Sequence, residues 1–140
     1  MPNTYIACSM SGLAPEEYKS FRHTILEVCE VIRTLGYIPY SEPFEAVEFD
    51  SPENALKKNL EVLDGADRFV LLYTNKEASS ALIELGYALK RGLPIVVFAQ
   101  EGIKRPFYLR QSYITPDRSI RVESFMTLQD LPIIVKRLLK

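Results

Sequence analysis

The hydrophobic positions of this chain fall into short apolar runs separated by longer stretches with helical periodicity. The clearest unit extends from Asp67 to Ala99, where two non-alternating apolar runs, Phe69–Tyr73 and Pro94–Phe98, flank a helical pattern. Short runs rich in β-branched and aromatic residues are typical of strands buried on both faces of a sheet. The unit therefore predicts a strand, a helix and a second strand parallel to the first.

The helix between these two strands has recognisable start and stop signals. Ser79 or Ser80 can cap its amino end. Lys90 and Arg91 fall in its last turn, and Gly92 can end it.

Glu84 is the only charged residue between Ala81 and Leu89. A helix that is apolar nearly all round is predicted to be buried, and a carboxylate there is costly to bury without a partner. Glu84 also falls in the first turn or so, beyond the carboxyl end of a parallel strand, where open α/β sheets bind ligands and the helix dipole favours an anion. Glu84 is therefore a candidate functional residue. The alternative is a structural glutamate that faces solvent or pairs with an arginine.

The same patterns predict the rest of the fold. The further strands are Thr4–Cys8, Tyr37–Tyr40 and Ser119–Phe125. The further helices run from Pro15 to about Leu35, where Gly36 ends the helix, from the cap Ser51 to near Gly65 with Leu56, Leu60 and Leu63 on one face, and over Leu128–Leu139. Pro39 places the second strand at a sheet edge, and alternation places Ser119–Phe125 at an edge. We expect one domain over residues 1–140, an α/β/α three-layer sandwich whose five-stranded parallel sheet has the flavodoxin-like, Rossmann-like order 2-1-3-4-5.

Two loops are candidates for ligand binding. The small-residue loop Ser9-Met10-Ser11-Gly12 directly follows the first strand, and the backbone N–H groups of such a turn can hold an anion. It contains neither G-x-G-x-x-G nor G-K-[ST], so the alternative is an ordinary connection between a strand and a helix. The acidic and aromatic stretch from Ser41 to Ser51 is either a lid or a tethered surface loop.

Composition excludes several classes of function. The chain has 140 residues, of which 47% are hydrophobic and 25% charged, as in ordinary globular domains. The net charge is −1 and no helix carries a basic stripe, so we expect no nucleic-acid partner. No apolar run is long enough to span a bilayer, and the amino terminus lacks the pattern of a signal peptide. We therefore expect a cytoplasmic protein without a membrane partner.

The cysteines and the histidine add little candidate chemistry. Cys8 and Cys29 form no C-x-x-C pair, so we expect neither a metal site nor a disulfide framework. His23, the only histidine, falls off the apolar stripe of the first helix. A Ser-His-Asp or Cys-His mechanism is therefore disfavoured.

Three segments resemble one enzyme family. The stretch E-L-G-Y-A-L-K-R-G-L-P-I-V-V, Glu84 to Val97, resembles the signature of the nucleoside 2-deoxyribosyltransferase family, whose glutamate is the catalytic nucleophile. The opening Y-I-A-C-S-M-S-G-L, Tyr5 to Leu13, resembles most the branch that hydrolyses nucleoside 5′-monophosphates. The segment N-L-E-V-L-D-G-A-D, Asn59 to Asp67, matches the family's D-L-x-x-[LI]-x-x-x-D.

This resemblance implies cleavage or transfer of an N-glycosidic bond in a nucleoside or a nucleoside 5′-monophosphate. Glu84 would be the nucleophile, and Tyr5 would orient it. A homodimer or larger homo-oligomer is also implied, with no cofactor. The residues implied in binding the substrate or its phosphate are Ser9, Met10, Ser11, Gly12, Asn59 and Ser80.

Two departures from the family pattern support other hypotheses. Asn59 stands where the family has Asp, and Ala78 where it has Asp or Ser, so neither can act as a carboxylate. The second hypothesis is therefore a degenerate module that binds or senses a nucleotide. A third is a TIR-like domain that cleaves NAD, because the serine-rich lead-in to Glu84 is similar to that of bacterial TIR domains. Their aromatic-Cys pair is replaced here by Ala81 and Leu82.

Overall fold

The computed structural model describes residues 2–8, 13–41, 51–74, 79–114, 116 and 119–139. The strands in these ranges are β1 (Asn3–Cys8), β2 (Ile38–Tyr40), β3 (Arg68–Tyr73), β4 (Ile95–Gln100), β5 (Tyr113–Ile114) and β6 (Ser119–Phe125). The α-helices are α1 (Pro15–Thr34), α2 (Pro52–Asp64), α3 (Ser79–Arg91) and α4 (Leu131–Leu138), and 3-10 turns occur at Phe107–Leu109 and Leu128–Asp130.

The strands form one sheet in the order β2-β1-β3-β4-β6-β5. All neighbours are parallel except β5, which is antiparallel to β6. The predicted order 2-1-3-4-5 is confirmed, because the fifth predicted strand is β6. The addition is β5, which forms the edge of the sheet beside Ser119 and Ile120, so the prediction that Ser119–Phe125 is an edge strand is wrong. A strand of two residues is too short to leave a periodic signal in the sequence.

Helices cover both faces of the sheet. On one face, Leu63 of α2 and Ala81 of α3 pack against alternate strand residues such as Leu71. On the other face, Ile25 of α1 and Val135 of α4 pack against the residues between them. Burial on both faces explains why β3 has no polar alternation, and it confirms the three-layer α/β arrangement.

The helix ends follow the signals in the sequence. Ser51 caps α2, and its hydroxyl accepts a hydrogen bond from the backbone N–H of Asn54 at 3.1 Å. Gly36 and Gly92 follow α1 and α3 with φ of +93° and +74°. This left-handed conformation favours glycine, so both positions end their helices as predicted.

The prediction that α3 is buried all round is wrong. Ile83 is 65% exposed and Gly86 is also exposed, while Ala81, Leu85 and Ala88 form one buried stripe. A helix that covers a sheet shields only the stripe facing that sheet, whatever the polarity of its outer residues. Leu56 of α2, which was placed on an apolar face, is likewise 51% exposed.

The amino end of α3 also differs from the expectation. Ser79 and Ser80 both lie within the helix, so neither is the capping residue that precedes it. Counted from Ser79, Glu84 lies in the second turn and not the first. Over the described residues, no helix combines the length and the apolar character that a bilayer crossing requires.

Candidate active site

Tyr5 and Glu84 are joined by a hydrogen bond between β1 and α3. The Tyr5 hydroxyl donates to Oε2 of Glu84. Tyr5 is only 2% exposed, and Glu84 is half-buried. A hydrogen bond to a carboxylate is stronger than one between neutral groups, so this contact fixes the orientation of the Glu84 side chain.

The ring of Tyr5 lies between two other aromatic rings. In the parallel register, Tyr5 is aligned with Tyr40 on β2 and with Phe69 on β3. The Phe69 ring is stacked, with its centroid 5.8 Å away and an interplanar angle of 6°, and the Tyr40 ring is 5.3 Å away at 33°. These contacts hold the ring plane from which the Tyr5 hydroxyl reaches Glu84.

Asn59 extends this row of contacts to α2. Its amide oxygen Oδ1 accepts a hydrogen bond from the Tyr40 hydroxyl at 3.1 Å. Asn59 is only 7% exposed. The structure thus brings Asn59 into the network of Tyr5 and Glu84, and its role in binding a substrate stays a prediction.

The network lies beside the switch point of the sheet, with its aligned rings Tyr5 and Phe69 in the amino-terminal halves of β1 and β3. The chain leaves β1 toward β2 on one side and continues from β3 toward β4 on the other, so the switch point lies between β1 and β3. Ligands of open α/β sheets bind at the carboxyl ends of such strands. Ser80 is exposed one helical turn before Glu84, on the same side of α3.

Other predicted residues lie outside the described part of the chain. These are the loop residues Ser9, Met10, Ser11 and Gly12, together with Ala78. The loop begins directly after Cys8, the last residue of β1, and Ala78 directly precedes α3. Their predicted roles remain predictions.

A pocket of about 350 Å³ lies at the carboxyl edge of the sheet on the face that α1 covers, opposite the face of Tyr5 and α3. Thr74, which follows β3, and Gln100, which ends β4, contribute to its lining. Among the residues that the structure describes, Oγ1 of Thr74 is buried and has no hydrogen-bond partner. The volume is within the range of small-molecule sites.

The remaining candidate groups are remote or structural. The His23 side chain is 76% exposed on α1, with its Nε2 atom 2.7 Å from Oε1 of Glu27, so the prediction that it falls off the apolar stripe is confirmed. Cys8 and Cys29 are thiols. The hydroxyl of Tyr73 donates to the backbone oxygen of Lys104 at 3.3 Å, and burial raises its pKa. Tyr73 is therefore a neutral hydrogen-bond donor at physiological pH.

Sequence reasoning missed Tyr40 and Phe69 as parts of this site. Both were assigned to strands, but a periodic pattern does not show which residues of two parallel strands are aligned. The only available signal was the recurrence of an aromatic residue in three strands that the predicted topology makes neighbours.

The fold is shared with enzymes that act on nucleosides and nucleotides. The structure is similar to that of the CMP N-glycosidase BcmB from Clostridium botulinum, with a TM-score of 0.73, 14% identity and coverage of 96% of this chain and 98% of that chain. It is also similar to the 2-deoxyribosyltransferase from Bacillus psychrosaccharolyticus, with a TM-score of 0.61, 23% identity and coverage of 93% and 90%. The 2-deoxyribosyltransferase from Leishmania mexicana has a TM-score of 0.56, 16% identity and coverage of 85% and 77%.

These similarities confirm the family resemblance at the level of the fold, over nearly the whole chain. Identity this low carries no information about individual residues. No curated protein matches the sequence. One family model matches residues 2–97, well over half of the chain. The chain therefore belongs to the family described as a domain of unknown function, DUF4406.

Proposed function

We propose that this chain cleaves the N-glycosidic bond of a nucleoside or a nucleoside 5′-monophosphate, with Glu84 as nucleophile and Tyr5 as the residue that orients it. The observation that carries the proposal is the hydrogen bond from Tyr5 to Glu84. It occurs at the switch point of a fold shared with a CMP N-glycosidase and with 2-deoxyribosyltransferases.

The chemistry needs one carboxylate beneath the anomeric carbon. Glu84 attacks C1′ while the bond to the base nitrogen breaks, and the base leaves with the bonding electron pair and takes up a proton from solvent water. The transition state resembles an oxocarbenium ion, which a carboxylate stabilises. Water, or a second base, then attacks C1′ and releases the Glu84 carboxylate. The bond to Tyr5 limits rotation of the carboxylate, so the reacting oxygen starts from a defined position.

Two further parts of the chain would bind the substrate. The loop Ser9-Met10-Ser11-Gly12 directly follows β1, the strand of Tyr5, and its N–H and hydroxyl groups would hold a phosphate. Ser80, one turn before Glu84, would contribute a further hydroxyl.

A second candidate function is binding of a nucleotide without turnover. Asn59 favours this alternative, because it has an amide at the position where the nucleoside 2-deoxyribosyltransferase family has a carboxylate. Its amide oxygen already accepts a hydrogen bond from Tyr40. In this alternative, Glu84 and Tyr5 would bind a ribose or a base and catalyse nothing.

A base-release assay tests both candidates. Purified protein is incubated with nucleosides, nucleoside monophosphates, their deoxy forms and NAD, beside Glu84→Ala, Glu84→Gln and the control Glu30→Gln. Glu30 is an exposed helix glutamate paired with Arg33, so its substitution tests for nonspecific effects. We expect release of base from one substrate class, unchanged in Glu30→Gln and reduced roughly 10³-fold or more in both Glu84 variants.

The other outcomes separate the candidates. A nucleotide that raises the melting temperature of the wild type without release of base would favour the binding module. Release of base that persists in Glu84→Ala would exclude Glu84 as the nucleophile. Release from NAD alone would favour the TIR-like alternative.

A further inference from the structure

Tyr40 contacts the ring of Tyr5, and Asn59 accepts a hydrogen bond from Tyr40. Both residues are distant in sequence from Glu84 and its helix α3. We propose that both are positioning residues, which hold Tyr5 in the plane from which its hydroxyl orients Glu84. The inference rests on the proposed function only in that it concerns the same glutamate. The contacts that carry it are the ring contact of Tyr40 with Tyr5 and the hydrogen bond of Tyr40 with Asn59.

The two sides of the Tyr5 ring are supported unequally. Phe69 is fully buried on β3, and this strand has a neighbouring strand on each side. Tyr40 lies at the end of β2, an edge strand of three residues that contains Pro39. An edge strand of this length is held by few backbone hydrogen bonds, so the Tyr40 ring needs a second anchor to keep Tyr5 in place.

Asn59 provides that anchor from α2. Its oxygen accepts the Tyr40 hydroxyl at 3.1 Å, and Asn59 is nearly buried. Hydrogen bonds are stronger at such sites because the local dielectric constant is low. An amide oxygen also accepts the bond without carrying a charge.

Kinetics of three variants test the inference. Tyr40→Phe keeps the ring and removes the hydroxyl, and Asn59→Leu keeps the volume and removes the acceptor. Each should lower kcat about 3- to 10-fold with KM within about twofold, since a hydrogen bond that supports Tyr5 is lost. A rise in KM alone for Asn59→Leu would instead support the substrate-binding role that the family resemblance implies for Asn59, and it would overturn its positioning role. The double variant should be no slower than the slower single variant, because both changes break the same bond.

The matched control is Tyr87→Phe. The Tyr87 hydroxyl also donates to a residue of α2, Asp64, but no ring contact joins Tyr87 to Tyr5 among the described aromatic pairs. This variant should keep the kcat of the wild type. If Tyr87→Phe lost as much kcat as Tyr40→Phe, the loss of any hydrogen bond to α2 would lower kcat. This result would overturn the specific role of Tyr40.

A second readout needs no substrate. In protein labelled with ¹³C at tyrosine Cζ, the Tyr5 signal is assigned by its absence in Tyr5→Phe. We expect Tyr40→Phe and Asn59→Leu to change the ¹³C chemical shift of Tyr5 Cζ, while melting curves show that both variants are folded. Tyr87→Phe should leave this chemical shift unchanged. If the signal moves but the wild type releases no base, the positioning role stands and the proposed function fails. An unmoved signal in both variants overturns the inference, whether or not the wild type is active.

Discussion

The Tyr5 hydroxyl on the interior strand β1 donates a hydrogen bond to Oε2 of Glu84 on helix α3, across 79 residues of sequence. Tyr5 is packed between two aromatic rings in the buried sheet, so the carboxylate is oriented by a rigid part of the molecule and not by a loop. Sites supported in this way keep their geometry better than sites built on loops alone. The contact leads directly to the first of four predictions.

Tyr5→Phe should lower the rate of base release about 10-fold or more, because the carboxylate loses the donor that orients it. The ring contacts remain, so the free energy of unfolding should fall by only about 1 kcal/mol. Steady-state kinetics and urea denaturation measure the two effects. Tyr73→Phe is the control, since it removes another buried tyrosine hydroxyl, one that contacts the backbone of Lys104. Equal losses of activity in both variants would argue against a specific role of Tyr5.

Gly86→Ala should stabilise the protein by about 0.5–1 kcal/mol. Gly86 lies within α3, and a Cβ added there meets no atom within 4 Å, so only the gain in helix propensity remains. Gly36→Ala should destabilise the protein by about 1–2 kcal/mol, because φ is +93° although space is equally open. Thermal melting of both variants gives the comparison. A lower melting temperature for Gly86→Ala would mean that another surface approaches α3 at this point.

Leu71→Ala and Leu56→Ala should differ strongly in stability. Leu71 is fully buried in β3, so its truncation leaves a cavity and should cost about 2–5 kcal/mol. Leu56 lies on the apolar face that periodicity predicts for α2, yet half of it is exposed, and its truncation should cost less than about 1 kcal/mol. Chemical denaturation measures both values. Similar losses would show that the face of α2 around Leu56 is buried in solution.

Tyr87 should make stability depend on alkaline pH. The hydrogen bond from its hydroxyl to Asp64 raises the pKa of Tyr87 above 10.0. The folded protein therefore holds this proton more tightly than the unfolded chain. The stabilisation is fully present below pH 10 and is lost as the pH rises through the pKa of the folded state. Unfolding free energies of the wild type and Tyr87→Phe, measured from pH 8 to 12, should converge at the alkaline end. A constant difference would contradict the prediction.

Local sequence was a good guide wherever a pattern repeats over a short distance. The apolar runs identified β3 and β4, and parallel connections of one hand then led to the order of the strands. Ser51, Gly36 and Gly92 marked helix ends because caps and left-handed residues involve only neighbouring backbone groups. His23 faces solvent because the period of a helix places it opposite the buried stripe.

The contacts of the candidate site depended on the tertiary structure. Glu84 was singled out by its isolation among apolar residues, but its partner Tyr5 followed only from a family resemblance, and Tyr40 was not identified at all. Strand register aligns Tyr5 with Tyr40 and Phe69, and the packing of α2 brings Asn59 to Tyr40. By itself the sequence determined which segments are strands and helices, because hydrophobic periodicity is a local property. The tertiary structure alone decided that the hydroxyl of Tyr5 contacts the carboxylate of Glu84 and that an apolar side chain such as Ile83 stays exposed. Both depend on the register of the strands and on the packing of the helices against the sheet.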